Sequence, residues 1–190
     1  MMLREDALRA IYPHLEERIV VTIMGAVAAE LYTIGHRHNF FYLEHAMGMA
    51  SSMGLGIALA MPQEKVIVLD GDGSLLMNLS VLAAIGREAP PRFLHVILND
   101  GAYESTGGQP TATAANVDLR AVAIGCGISR SLRVETESEL EDALGSWRTS
   151  GGPMLIDVAA VTERTGVRPR YDPTYYKYRL RDALAGVAWS

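Results

Sequence analysis

Short apolar runs alternate along this chain with longer segments in which apolar residues recur at helical spacing. Apolar, β-branched runs bounded by polar turns are typical of buried β-strands. The predicted strands are residues 18–24, 40–43, 65–69, 92–98, 129–134 and 153–159. The predicted helices are residues 3–17, 26–34, 50–60, 75–87, 119–124 and 137–147.

The order of these elements indicates the fold class. Strands that alternate with helices form parallel sheets, whose strands are buried on both faces and are therefore apolar throughout. We predict an α/β fold with a doubly wound, mostly parallel sheet flanked by helices. Thr136 and Glu139 are spaced as a capping box at the start of the last helix. The loop 100–115 is longer than a connection requires, and such loops usually carry function.

Polar residues follow two of the predicted strands. The sequence Gly-Asp-Gly-Ser at 71–74 comes after one apolar run, and Asn99 follows the next run, 27 residues after Asp72. The carboxyl ends of parallel strands meet at the ligand-binding edge of a sheet, and Mg²⁺ prefers such oxygen ligands together with phosphate oxygens. Taken alone each piece is weak, because Asp-Gly is a common turn and Asn-Asp-Gly also closes hairpins. Together they predict a magnesium diphosphate site.

This arrangement resembles the signature of thiamine diphosphate (ThDP) enzymes, in which Gly-Asp-Gly is followed at a similar distance by Asn with Gly two places further on. The resemblance implies that Asp72 and Asn99 bind Mg²⁺ through their side chains and that Gly101 binds it through its carbonyl. It also implies that the cofactor contacts Gly71, Gly73, Ser74, Asn99, Gly101 and Tyr103.

Longer segments resemble the cofactor domain of phosphonopyruvate and sulfopyruvate decarboxylases over about residues 19 to 160. The most specific segment is Ser-Thr-Gly-Gly-Gln at 105–109, and further likeness lies at 30–32, 39–42 and 47–56. In that family the residue at Met47 supports the cofactor in its bent form, whereas by position type alone Met47 is an ordinary core methionine. Weaker candidates for the substrate end of the site are Ser105, Thr106 and Gln109.

Two departures from the family pattern affect the chemistry. His45 stands where these decarboxylases usually carry glycine, so we treat His45 and Met47 as the candidate catalytic residues. The His45 imidazole either faces the reaction as a proton donor or anion partner, or turns into a subunit contact. The segment 26–29 reads Ala-Val-Ala-Ala, where relatives that handle a phosphono or sulfo group tend to carry hydroxyl and basic residues. This departure puts the usual anionic substrate in doubt.

A length of 190 residues suits one α/β domain. We predict a ThDP- and magnesium-binding domain at 1–160 and a C-terminal tail or arm at 161–190. The resemblance implies that a separate pyrimidine-binding (α) subunit supplies a catalytic glutamate, which protonates the pyrimidine ring. Hydrophobic residues form 49% of the chain and its mean hydropathy is +0.12, so we expect another chain to cover part of the surface in an oligomer.

Composition excludes several other classes of protein. The single cysteine, Cys126, excludes an internal disulfide and a cysteine-ligated iron–sulfur cluster. A net charge of −5 without a basic run gives nucleic acid little to bind. No apolar segment reaches the length of a membrane span and the N-terminus lacks a signal-peptide pattern. We therefore expect a cytoplasmic location.

The pattern as a whole predicts the cofactor-binding, β-type subunit of a ThDP- and Mg²⁺-dependent decarboxylase that acts on a small 2-oxoacid. A ThDP carboligase or another oxoacid enzyme subunit is one alternative, and a non-catalytic regulatory subunit of the same fold is another. The basic, tyrosine-rich tail either folds over a partner or the mouth of the active site, or is a solvated arm.

Overall fold

The computed structural model describes residues 1–161 and 172–185. The strands are β1 (Met2–Leu3), β2 (Ile19–Ile23), β3 (Phe40–Leu43), β4 (Val66–Gly71), β5 (Phe93–Asn99), β6 (Ala102–Tyr103), β7 (Gln109–Pro110), β8 (Arg130–Val134) and β9 (Met154–Val161). The α-helices are α1 (Arg4–Ile11), α2 (Ala26–Ile34), α3 (Ala50–Ala60), α4 (Asp72–Leu76), α5 (Ser80–Glu88), α6 (Leu119–Gly125), α7 (Glu137–Thr149) and α8 (Pro173–Leu184). Short 3₁₀ helices are Tyr12–Leu15, Glu104–Thr106 and Ala112–Ala114.

Seven of the strands form one sheet in the order β1-β9-β5-β4-β2-β3, with β8 also beside β9. Every strand pair in this sheet is parallel, which confirms the predicted fold class. The two remaining strands, β6 and β7, pair as a small antiparallel hairpin inside the long loop after β5. Within the described residues, no helix has both the length and the apolar character needed to cross a membrane.

The strand order places a crevice at one edge of the sheet. From β2 the chain moves outward to β3, whereas from β4 it moves in the opposite direction to β5. The crevice between the carboxyl ends of two such diverging strands is where doubly wound folds bind ligands. The crevice is therefore bordered by the turns that follow Ile23 and Gly71.

Close packing of α3 holds this part of the sheet together. The central strands β2 and β5 are buried along their whole length. A Cβ atom built on Gly54 of α3 would lie 2.3 Å from Cγ2 of Val68 in β4. Only glycine lets the helix approach the sheet so closely, which explains the small, glycine-rich sequence of α3.

Two of the predicted helices are wrong in extent. The predicted helix 75–87 is instead divided into α4 and α5, because Asn78 Nδ2 donates to the Gly48 carbonyl (2.9 Å) and to Ser52 Oγ (3.1 Å) and fixes a turn there. The predicted helix 3–17 loses its start to β1, and α1 ends at Ile11, just before the 3₁₀ turn that contains Pro13. The predicted capping box at the start of α7 is confirmed.

Part of the predicted tail is packed on the sheet. Helix α8 contacts β3, and Tyr176 and Leu180 are buried in the hydrophobic core. Arg179 donates to the Phe40 carbonyl and to Nε2 of His36. Burial, with the nearby Arg179 charge, lowers the pKa of His36 to about 4, so this ring is neutral near pH 7. Helix α8 is therefore not a solvated arm. The rest of the tail, 162–171 and 186–190, lies outside the described residues. The predicted domain boundary near residue 160 stays a prediction.

Candidate functional site

A cavity opens at the crevice between the carboxyl ends of β2, β4 and β5. Its apolar wall comes from the end of β2 and the start of α2, and its polar wall comes from the turn into α4 and the loop after β5. The lining residues are Arg4, Ile23, Met24, Ala26, Val27, Met47, Gly71, Asp72, Gly73, Ser74, Leu98, Asp100, Ala102, Tyr103, Glu104 and Ser105.

Asp72 carries a buried carboxylate at the first position of α4. Only 1% of the residue is exposed, and its Oδ2 accepts hydrogen bonds from the hydroxyls of Thr111 and Thr113, both at 2.6 Å. Among residues 1–161 and 172–185, no cationic side chain forms an ion pair with it. A buried carboxylate without a counter-charge is costly, so this position is suited to a metal cation.

Asn99, at the end of β5, is oriented by a neighbouring acid. Its Nδ2 donates to Asp157 Oδ1 at 2.9 Å, and because a carboxylate only accepts, the amide oxygen must turn the other way. That oxygen lies 3.0 Å from Thr113 Oγ1, which also contacts Asp72. Burial raises the pKa of Asp157, while the contacts from Asn99 and Arg133 act in the opposite direction.

The turn after β4 is closely covered by two other segments. A Cβ atom on Gly73 would lie 2.6 Å from the ring of Tyr103, so no other residue fits beneath that ring. Ser74 Oγ accepts the Gly48 N–H at 3.0 Å, which ties the turn to the segment that carries Met47. Gly73 thus lets the Tyr103 ring approach the place where a diphosphate is predicted, and the bond from Gly48 to Ser74 holds a neighbouring backbone beside it.

Four charged side chains form a network along the polar wall. Arg4 contacts Glu30 on α2 and both Asp100 and Glu104 in the loop after β5, at N–O distances of 2.7 to 3.0 Å. Three carboxylates therefore share one guanidinium. Burial and the neighbouring Glu104 raise the pKa of Asp100 to about 6. The network leaves the polar wall acidic.

The sequence of this region matches a known family. Residues 21–158 match the family described as thiamine pyrophosphate enzyme, C-terminal TPP binding domain. The chain belongs to this family. The match spans nearly all of the sheet from β2 to β9 together with every cavity-lining residue except Arg4, so the predicted resemblance is confirmed.

Two related proteins and one solved structure are similar to most of this chain. The chain is 43% identical over 186 residues to sulfopyruvate decarboxylase subunit beta of Methanocaldococcus jannaschii, covering 95% of this chain and 96% of that protein. It is 44% identical to phosphonopyruvate decarboxylase of Streptomyces viridochromogenes, with 85% of this chain covered but only 41% of the relative. A solved structure, a ThDP-dependent 4-hydroxybenzoylformate decarboxylase from Rhodococcus jostii, superposes with a TM-score of 0.72 at 22% identity, over 85% of this chain and 33% of that one. That likeness supports the fold alone.

Most of the predicted site residues lie at the cavity. Those that line it are Met47, Gly71, Asp72, Gly73, Ser74, Tyr103 and Ser105. Asn99 and Gly101 do not line it. The Asn99 side-chain oxygen is nevertheless connected to Asp72, because the Thr113 hydroxyl contacts both side chains. The Gly101 carbonyl, predicted as a metal ligand, accepts the Thr111 N–H at 2.8 Å. The roles of all these residues stay predictions.

Three predicted residues lie away from the cavity. The His45 side chain is 81% exposed, and its Nε2 lies 3.2 Å from Glu44 Oε1. Its backbone adopts φ +54°, a region that favours glycine. Thr106 and Gln109 are exposed and hydrogen-bonded to each other.

Several functional candidates were missed by the sequence reasoning. Thr111 and Thr113 follow the specific segment 105–109 and hold Asp72, but threonines in a loop give no clear signal. Asp157 interrupts an apolar strand, and this is a usable signal because buried acids are nearly always paired. Arg4 is separated from Asp100 by 96 residues, so no local pattern connects the two.

Proposed function

We propose that this chain is the cofactor-binding, β-type subunit of a ThDP- and Mg²⁺-dependent 2-oxoacid decarboxylase, a carbon–carbon lyase. The observation that carries the proposal is the buried Asp72 carboxylate, which has no counter-charge among the described residues and lies at the ligand edge of a family member. The near-complete coverage of a sulfopyruvate decarboxylase beta subunit supports the subunit type. The substrate class we propose is a small 2-oxoacid such as sulfopyruvate or phosphonopyruvate.

Asp72 is our first magnesium ligand, with the Asn99 side chain and the Gly101 carbonyl as the predicted partners. Mg²⁺ needs only one or two protein carboxylates when phosphates complete its shell. That demand suits a chain in which the described residues contain no group of three or more His, Cys, Asp or Glu side chains that could hold a metal ion by itself. Asp100 is the rival for the second position, because this residue lines the cavity and Asn99 does not.

The cofactor fits the same edge. Gly71, Gly73 and Ser74 would hold the diphosphate, Tyr103 would cover it, and Met47, which also lines the cavity, would support the bent cofactor. When bound, ThDP supplies the electron sink that decarboxylation of a 2-oxoacid requires. The chain's own contribution is to bind the metal, to fix the cofactor's position and to exclude water with the apolar wall.

A second chain is part of the proposal. Gly56 and Leu59 lie on an exposed face of α3, and Met49, the residue just before the helix, continues that face at helical spacing. Met77 is exposed beside Gly48 at the same end. Exposed apolar patches of this kind often mark a protein interface. We propose that the pyrimidine-binding α subunit with its catalytic glutamate covers this face in a hetero-oligomer. The cytoplasmic location of the protein likewise stays a prediction.

One observation favours a different oxoacid. The cavity is lined by Met24, Ala26 and Val27, and among its described lining residues the only cation is Arg4, which is already shared by three carboxylates. This half of the site therefore offers no separate cation to a phosphonate or sulfonate group. Another oxoacid enzyme or a ThDP carboligase is the second candidate function, and a panel of oxoacid substrates separates the two.

Titration of ThDP into the purified chain tests the cofactor assignment. With Mg²⁺ present we expect saturable heat release in isothermal titration calorimetry, and with the metal chelated we expect none, because the diphosphate would then face Asp72 without a bridging cation. Binding that is equally tight without metal would contradict the magnesium assignment. Lack of binding under both conditions, by the chain and by its complex with a partner, would contradict the proposed function.

Replacing His45 with glycine tests the candidate catalytic role of its ring. The left-handed backbone at this position costs a non-glycine residue about 1–2 kcal/mol, and glycine relieves this strain. Because glycine also loses more conformational freedom on folding, the two effects partly cancel. H45G is therefore expected to leave the free energy of unfolding within about 1 kcal/mol of wild type. If the ring faces the reaction in the assembled enzyme, the pH–rate profile changes with little change in stability. Superimposable profiles would assign His45 to a structural or interface role.

A further inference from the structure

We propose that Arg4 is a positioning residue for the cofactor loop, defined as residues 100–106. Arg4 holds this loop against α2 so that its backbone and Tyr103 face the predicted metal and diphosphate site. The inference rests on the proposed ThDP site and adds a residue that lies outside the segment matched by the family, 21–158.

The base of the Arg4 side chain is fixed by its place in the fold. Arg4 is the first residue of α1 and follows β1 directly, where Met2 and Leu3 pair with Ala160 and Val161 at the end of β9. Only 4% of the side chain is exposed. The guanidinium therefore projects from a sheet edge and a helix start that are both fixed, and it has little freedom to move.

The hydrogen bonds of the guanidinium divide into two groups. Nε and Nη2 donate to the two carboxylate oxygens of Glu30 at 2.8 and 2.7 Å, which is a bidentate pair. Nη1 donates to Asp100 Oδ2 at 3.0 Å and to Glu104 Oε2 at 2.7 Å. Glu30 on α2 thus orients the planar group, and the remaining nitrogen holds both ends of the turn that contains Gly101 and Tyr103.

Loss of Arg4 would release the loop. Asp100 and Glu104 would then repel each other and the nearby Asp72 without a cation between them. Burial alone would lower the pKa of the Arg4 guanidinium, but its bonds to Glu30 and Glu104 raise it above the ordinary value, so Arg4 is a permanent cation here. A shift of the loop would also lift the Tyr103 ring from Gly73, against which it packs.

Hydrogen exchange tests the restraint without cofactor. We compare R4M, R4K and wild type with R9M, a matched control on the same helix whose arginine is exposed and pairs only with Glu5 among the described residues. Amides of residues 101–106 are expected to exchange about tenfold faster in R4M than in wild type, and at an unchanged rate in R9M. R4K is expected to resemble R4M, because an ammonium cannot form the bidentate pair and reach both loop acids. Equal protection of the loop in wild type and R4M would overturn the inference.

Cofactor affinity provides the second readout. Because partners that orient a metal site typically contribute tenfold to 100-fold to affinity, the dissociation constant for Mg²⁺ and ThDP is expected to rise by about that factor in R4M and to stay constant in R9M. E104A removes one loop contact and keeps the Arg4–Glu30 pair, so it covers the case in which R4M does not fold; a smaller loss in the same direction is expected. Wild-type affinity in R4M, or in E104A when R4M is unfolded, overturns the inference alone, whereas absence of binding by wild type overturns the proposed function as well.

Discussion

Replacing Asp72 with alanine is expected to abolish magnesium-dependent binding of ThDP, with a rise in the dissociation constant of more than about 100-fold. Asp72 is the one fully buried carboxylate among the cavity-lining residues that the structure describes. Without it, the divalent cation would lose the buried carboxylate assigned to it, and the remaining acids of the polar wall, Asp100 and Glu104, are paired with Arg4. D72N should lose binding to a similar extent, because it keeps the shape and the bonds from Thr111 and Thr113 but removes the charge.

Isothermal titration of wild type and variants, each with Mg²⁺, measures this effect, and far-ultraviolet circular dichroism checks that the fold persists. N99A and D100A assign the second metal ligand in the same assay. The substitution that removes the true ligand should lower the affinity for ThDP more than the other substitution does. Cofactor affinity in D72N equal to that of wild type would remove the main metal assignment.

The second large effect concerns activity: the chain alone is expected to release no CO₂ from 2-oxoacids, and the chain with its α-type partner is expected to do so. In the ThDP decarboxylases that this chain resembles, a glutamate of the pyrimidine-binding domain protonates the pyrimidine ring. Among the described acids that line the cavity, Asp72 is assigned to the metal, and Asp100 and Glu104 are paired with Arg4. None of these is available for the glutamate's task, so we expect the chain to need a second polypeptide for activity.

The main sheet was predictable because most of its strands are formed by predominantly apolar runs that are bounded by polar turns. Six runs predicted as strands are strands in the structure, and the parallel arrangement followed from their alternation with helices. The strand β1 was not predictable, since two residues at the start of the chain carry no periodicity. The break between α4 and α5 depends on the bonds of Asn78 to Gly48 and Ser52, which are contacts across the fold rather than a local preference.

The candidate site was predictable only in its local parts. Asp72 and its flanking glycines form a motif in sequence, and the strand context located that motif at the correct edge of the sheet. By contrast, Thr113 lies between Asp72 and Asn99, and Arg4 crosses from the first helix to the cofactor loop. Such contacts depend on how distant segments fold together, so residue patterns within one segment do not reveal them.

The most direct test of the account is CO₂ release by the chain co-purified with the product of a neighbouring reading frame that encodes a pyrimidine-binding domain. The panel contains sulfopyruvate, phosphonopyruvate and uncharged 2-oxoacids, each with Mg²⁺ and ThDP. We predict turnover by the pair, loss of turnover when either chain, ThDP or Mg²⁺ is omitted, and no turnover when the pair carries D72N. Robust turnover by the isolated chain, or a ThDP-bound pair that releases no CO₂ from any oxoacid, would contradict the account.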